Sequence, residues 1–173
     1  MRILFLGDIV GPSGCNIVKK LLPDVIKKKN LDFVIANGEN AADNGVGITE
    51  KISNELFKSG VNVITTGNHV WDQKETVEHI EKEKKLLRPY NLTAPAPGKG
   101  FEIFLCKKNY KIGVLNLMGN VFMRKCDDVF TEVDKFLRNY NLKKNYDFLV
   151  IDFHGEITVK KWLLDIYLMV KQL

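Results

Sequence analysis

Cysteine, arginine and histidine are scarce in this chain, and each scarcity excludes something. The three cysteines, Cys15, Cys106 and Cys126, are odd in number and widely spaced, with no CxxC pair. That excludes a disulfide framework and a zinc knuckle, and points to reduced thiols in a cytoplasmic protein. Four arginines stand against 22 lysines. The net charge of +5 raises the question of nucleic acid. Base readout leans on arginine, however, and the basic residues are scattered, with Lys27-Lys28-Lys29 as the longest run. Lysine and asparagine have A-rich codons, so an A+T-rich genome would give this bias without selection for binding. A solvated basic surface is expected, not specific nucleic-acid recognition. Long apolar runs are missing too, so no segment is expected to span a membrane. The apolar start, Ile3 to Leu6, runs straight into Gly7-Asp8 and leaves no room for a secretory signal and its cleavage site.

What is present is a globular composition. The chain has 173 residues and is 45% hydrophobic, enough for one domain with a sizeable core. Strand and helix signals alternate. Ile3 to Gly7 reads as a buried strand. Pro12 to Lys29 reads as a helix with Ile17, Val18, Leu21, Leu22, Val25 and Ile26 on one face, and Pro23 as a point of kinking or division. Phe33 to Ala36 is a second strand. Thr49 caps a helix running to Ser59, where Gly60 stops it. Val61 to Thr65 is a third strand, and Asp72 is expected to cap the helix bearing Val77 and Ile80. Residues 86 to 100 hold Pro89, Pro95 and Pro97 and read as a loop. Phe101 to Cys106 and Lys111 to Leu117 form a hairpin around Lys107-Lys108-Asn109. Val129 to Tyr140 is helical, and Phe148 to Asp152 is a last buried strand. This order predicts an α/β fold with a mainly parallel sheet and helices on its faces.

Four strands end in residues able to do chemistry: Gly7-Asp8, Asn37-Gly38-Glu39-Asn40, Thr66-Gly67-Asn68-His69 and Asp152-Phe153-His154. Ligands of open α/β sheets bind at the carboxyl ends of the strands, so one sheet edge would gather all four clusters. Carboxylate, amide oxygen and imidazole are donors for hard and borderline divalent cations. A carboxylate such as Glu39 can bridge two of them. Such a pair clamps a phosphate and activates water, while an imidazole protonates the leaving oxygen. Singly, each residue has a plainer reading. Asp8 and Asn40 would be helix caps, Asn68 a turn residue, His69 a buried core histidine and His154 a packing residue. His79, on a charged helix, reads as surface. Together, on one edge, the six favour a metal site.

With those residues in place, the chain resembles the bacterial YmdB-like metallophosphoesterases of the calcineurin-like superfamily. The resemblance rests on MRILFLGDIVG, DFVIANGENAADNGVGIT, GVNVITTGNHVWD, LLRPYN, GKG, VLNLMG and DFHGEIT. It implies a layered α/β/β/α sandwich, incomplete at the C-terminus. It implies a dinuclear site of two divalent metal ions, iron or manganese first, zinc or magnesium next. Asp8, Glu39, Asn40, Asn68 and His154 would be metal ligands, Glu39 bridging, and His69 the catalytic acid. The implied partner is a small phosphodiester or nucleotide substrate such as a 2′,3′-cyclic nucleotide; a homo-oligomer is compatible with it.

The chain departs from the family pattern in places. Cys15 and Asn120 stand where arginine is usual, and Tyr90 where alanine is. A His-Thr-His motif that supplies one ligand to each metal has no counterpart among His69, His79 and His154. The expectation is a metallophosphoesterase domain over residues 1–158 and a divergent apolar tail over 159–173. A frameshift near Thr158 would explain the tail. An A/T-rich back-translation from that point, read from its third base, gives Ser-Glu-Lys-Met-Ala-Phe-Gly-His, which resembles the family's continuation. Three functions follow: a metal-dependent phosphodiesterase, a catalytically inactive truncated fragment of one, or a non-enzymatic nucleotide-binding protein.

Overall fold

The computed structural model describes residues 1–156 and 158–171. Twelve elements follow in order: β1 (Ile3–Val10), α1 (Gly11–Lys29), β2 (Phe33–Asn40), α2 (Glu50–Lys58), β3 (Val63–Thr65), α3 (Thr76–Lys82), β4 (Leu86–Leu87), β5 (Phe101–Leu105), β6 (Lys111–Met118), α4 (Val129–Asn139), β7 (Phe148–His154) and α5 (Thr158–Lys171). They form two sheets. The first is parallel, in the order β1-β2-β3-β4; the second, β5-β6-β7, joins an antiparallel hairpin to the parallel strand β7.

Side-chain alternation sets the layers. Successive residues of a strand point to opposite faces. In β2, Val34 and Ala36 pack with Leu22, Ile52 and Leu56 of α1 and α2, while Phe33 and Ile35 face the other way. There they meet Ile112 and Val114 of β6, with Val150 of β7 packed alongside. The opposite face of β6 and β7 turns Leu115, Leu117 and Phe153 toward Phe136 of α4 and Leu164 of α5. Three apolar layers therefore separate helix, sheet, sheet and helix. This is the α/β/β/α sandwich. Phe136 is 1% exposed and stacks on Tyr140 at 5.0 Å, so truncating it to alanine would cost about 3–5 kcal/mol.

Local signals place several ends. Thr49 caps α2, its hydroxyl accepting from the Ile52 amide at 3.2 Å. Gly60 ends that helix region at φ +110°, where a side chain would be strained and would also run into Ile26. Pro23 does not divide α1, which is one helix of 19 residues. The expected apolar face of α1 is shifted: Cys15 and Leu22 are buried with Val18 and Ile26 against the core, while Ile17, Leu21 and Val25 are exposed. Leu86 and Leu87, read as loop, form the short edge strand β4. Asp72 caps nothing: α3 begins at Thr76, with Glu75 at the capping position. Of the tail, α5 covers residues 158–171, with Leu164 buried and Trp162, Leu163, Ile166 and Met169 exposed. None of the described helices is long and apolar enough to cross a membrane.

Candidate active site

The alternation that buries Phe33 and Ile35 between the sheets continues along β2 to Asn37 and Glu39. In β7 it carries Val150, Asp152 and His154 onto the same interlayer. The space between the sheets therefore changes character along the strands. It is apolar at their beginnings and polar at their carboxyl ends, where Asn37, Glu39, Thr65, Asn116, Asp152 and His154 meet. Both strands run further than their apolar residues suggested, because their last turns face polar partners instead of oil.

The four clusters do not share one sheet edge. Three come from the first sheet and the fourth, on β7, from the second. They meet across the interlayer. His154 places Nδ1 2.8 Å from Glu39 Oε1 and Nε2 2.7 Å from Asn68 Oδ1. The other oxygen of Glu39 accepts from the His69 backbone amide at 3.4 Å. Asp8 and Asn40 form a second pair, with Asn40 Nδ2 donating to Asp8 Oδ2 at 2.8 Å. Asp8 lies where β1 slips its register against β2, opposite Asn37. Such irregularities aim side chains at sites. Neither Asp8 nor Asn40 caps a helix. Gly67 is needed for space: a Cβ there would strike Glu39 and lie 2.6 Å from the His154 ring.

The electrostatics follow from burial. The Glu39 side chain is 1% exposed and the His154 imidazole faces it. Burial works against charging His154, but the hydrogen bond and charge of Glu39, helped by Asp152 and Asp8, raise its pKa above the ordinary histidine value. Asp152 lies deeper. Burial raises its pKa, against hydrogen bonds from Thr65 and Asn37. Asn37 donates to Asp152 Oδ2 at 3.2 Å and accepts from the Glu39 amide at 3.1 Å, so it ties the two sheets together under the site. Asn116 lies nearby, fully buried, giving its amide to Thr66 and Leu87 carbonyls while its oxygen finds no partner.

His69 is not a buried core histidine; a third of its side chain is exposed. Its Nδ1 sits 2.6 Å from Asp72 Oδ2, and Arg124 binds the other oxygen of Asp72. Asp72 and Arg124 are the residues that sequence reasoning missed; the three-residue step from His69 to Asp72 was the available signal. His79, expected at the surface, is buried. Its Nε2 lies 2.8 Å from Ser53 Oγ, and because Ser53 donates to the Glu50 carbonyl, the imidazole is the donor to Ser53. It stands away from the site, between α2 and α3.

The donor set suits a divalent cation in type. Among the described residues, however, no three His, Cys, Asp or Glu side chains converge closely enough to hold a metal ion by themselves. A centre built here would draw on the amide oxygens of Asn40 and Asn68 as well.

The chain is similar to known proteins in sequence and fold. A family model described as YmdB-like protein matches residues 4–171. A Bacillus subtilis protein named 2′,3′-cyclic-nucleotide 2′-phosphodiesterase is 43% identical over 168 residues, covering 96% of this chain and 62% of its own length. The crystal structure of a hypothetical protein from Thermus thermophilus superposes with a TM-score of 0.88 at 34% identity, over 97% of this chain and 63% of that one. A novel phosphatase from Mycoplasma pneumoniae gives a TM-score of 0.85, also at 34% identity, over 96% and 59%. The chain thus spans about three fifths of the length of these relatives. A family match over nearly the whole chain, with the strand-end residues gathered as described, shows that the chain belongs to the YmdB-like family.

Proposed function

We propose that this chain carries the site of a metal-dependent phosphodiesterase acting on small phosphodiesters, 2′,3′-cyclic nucleotides among them. The observation that carries the reading is the meeting of Glu39 and His154 from opposite sheets, 2.8 Å apart, with the Asp72-held His69 beside them. The Bacillus subtilis relative's name agrees in substrate class.

Two divalent cations, iron or manganese by the family resemblance, would be held by Asp8, Glu39, Asn40, Asn68 and His154, and would supply Lewis acidity and a water of lowered pKa. The two oxygens of Glu39 serve different neighbours, His154 Nδ1 and the His69 amide, so either could turn to a bound cation. The remaining chemistry belongs to the chain. Asp72 accepts from His69 Nδ1 and stabilises the imidazolium, leaving Nε2 to give its proton to the leaving oxygen. The His69 hydrogen bond and the charge of Arg124 hold the Asp72 carboxyl below the usual aspartate range. Asn37 and Asp152 hold the Glu39 strand against the β7 strand, so that the donors keep their spacing.

The test is metal content together with Mn²⁺-dependent hydrolysis of adenosine 2′,3′-cyclic phosphate. Bound metal with hydrolysis abolished by Asp8→Ala supports the reading; hydrolysis indifferent to Mn²⁺ and to Asp8→Ala overturns it. The small number of charged donors favours a second reading, in which the site binds nucleotide and metal weakly and does not turn substrate over. Weak metal retention with no hydrolysis would select it.

A further inference from the structure

Of the segment from Gly119 to Cys126 the phosphodiesterase reading uses only Arg124. Its two ends are pinned together. Asn91, 1% exposed, accepts from the Met118 amide at 2.9 Å and donates to the Met118 and Asp127 carbonyls at 2.7 and 2.9 Å. The strand-like bridge between Leu92 and Cys126 reinforces the base. The loop is also tied twice to the site. The Gly119 amide donates to the His154 carbonyl at 2.8 Å, and Arg124 binds the Asp72 carboxylate that holds His69. The chain between these ties passes from a candidate metal ligand to the partner of the candidate acid.

Phe122 lies between the two ties. It is 88% exposed, the largest exposure among the large apolar side chains described. Its backbone sits at φ +60°, in the left-handed region that a bulky L-residue adopts only at a cost. An exposed phenyl ring on a strained residue stabilises nothing in the fold. Glycine at this position would remove the strain, and a polar side chain would remove the exposed apolar surface. Strain kept in a loop pinned at its base and tethered to a site is the pattern of a ligand clamp. An exposed planar ring on a loop tied to the candidate site at both His154 and Asp72 is a stacking surface for another planar ring.

We propose that Phe122 is the platform on which the nucleobase of the substrate stacks, so that the site recognises a base as well as a phosphodiester. The inference rests on the phosphodiester reading of the site and deepens it. Base stacking on an aromatic side chain is sequence-tolerant, so purine and pyrimidine nucleotides are both accepted, purines better.

The test measures binding, in Mn²⁺, of adenosine 3′-monophosphate and of the base-free glycerol 2-phosphate to the whole chain. The unsubstituted protein prefers the nucleotide, and Phe122→Ala shrinks the ratio of the two affinities about tenfold. Phe122→Trp keeps the ratio, and its added indole fluorescence is quenched by the nucleotide. Phe122→Gly raises the Tm by relieving the strained φ while losing the base preference, which separates a binding role from a structural one. A ratio unchanged in Phe122→Ala overturns the proposal. Glycerol 2-phosphate binding with no preference for the nucleotide overturns it too, and leaves the phosphodiesterase reading standing. Binding of neither ligand overturns both.

Discussion

Asp72 divides its carboxylate between two partners, with Oδ2 2.6 Å from His69 Nδ1 and Oδ1 on the Arg124 guanidinium. The His69 hydrogen bond, with the charge of Arg124, holds the Asp72 carboxyl below the usual aspartate range. Asp72→Asn keeps the shape and removes the charge that stabilises the imidazolium. Activity on a 2′,3′-cyclic nucleotide should fall in kcat by about ten- to a hundredfold, with KM little changed. His69→Ala should cost about 10²- to 10⁴-fold. Steady-state kinetics check both, and a loss confined to KM would contradict the assignment.

Gly67→Ala removes no donor yet should damage the site. The added methyl would occupy the space of the Glu39 carboxylate and lie 2.6 Å from the His154 ring. Both side chains must shift. Mn²⁺ binding measured by calorimetry should weaken at least about tenfold. Retained affinity would mean that Glu39 and His154 do not hold the metal.

Metal binding should appear as stability. A ligand bound only by the folded chain, at a hundred times its Kd, adds about 2.7 kcal/mol. Thermal unfolding with and without Mn²⁺ should show an upward shift in Tm for the unsubstituted protein and almost none for Glu39→Gln. An equal shift in both would place the ion elsewhere.

Asp32 predicts a pH dependence. It accepts from the Arg2 amide at 2.8 Å and pairs with Lys108 of the β5–β6 hairpin at 3.0 Å, and these contacts lower its pKa. A carboxyl with a depressed folded pKa contributes stability above its unfolded value, and that contribution is lost as pH falls through the folded value. Asp32→Asn should therefore unfold more readily than the unsubstituted protein at neutral pH. The difference should vanish in acid below the lowered pKa. Denaturant midpoints across pH measure it.

Local signals were legible in the sequence; long-range ones were not. The Thr49 cap, the Gly60 stop and the 107–109 turn act over a few residues, and the structure has each where expected. The strands β2 and β7 were read short. Their last residues are polar, and only a facing sheet makes a polar strand end worthwhile. His79 looked like surface because its partner, Ser53, lies 26 positions away on another helix. The α1 stripe had the right period but the wrong centre, since Ile17, Leu21 and Val25 repeat as regularly as the residues that are buried. Of the candidate site, the six residues were legible as strand ends. Their division between two sheets, and the part taken by Asp72 and Arg124, depended on packing that the sequence does not print.

The division between sheets has a consequence for how the protein comes into being. The contacts that complete the site join residues far apart in the chain: Asn37 to Asp152 across 115 positions and Asn68 to His154 across 86. Closing such long loops is slow and comes late. While the first sheet emerges during synthesis, Asp8, Glu39, Asn40 and Asn68 are already present but lack their imidazole. If these residues hold the proposed metal, its tight capture would wait until the β7 strand arrives and docks. The ion would then act as a latch on a finished sandwich, and metal occupancy would report which molecules have completed their assembly.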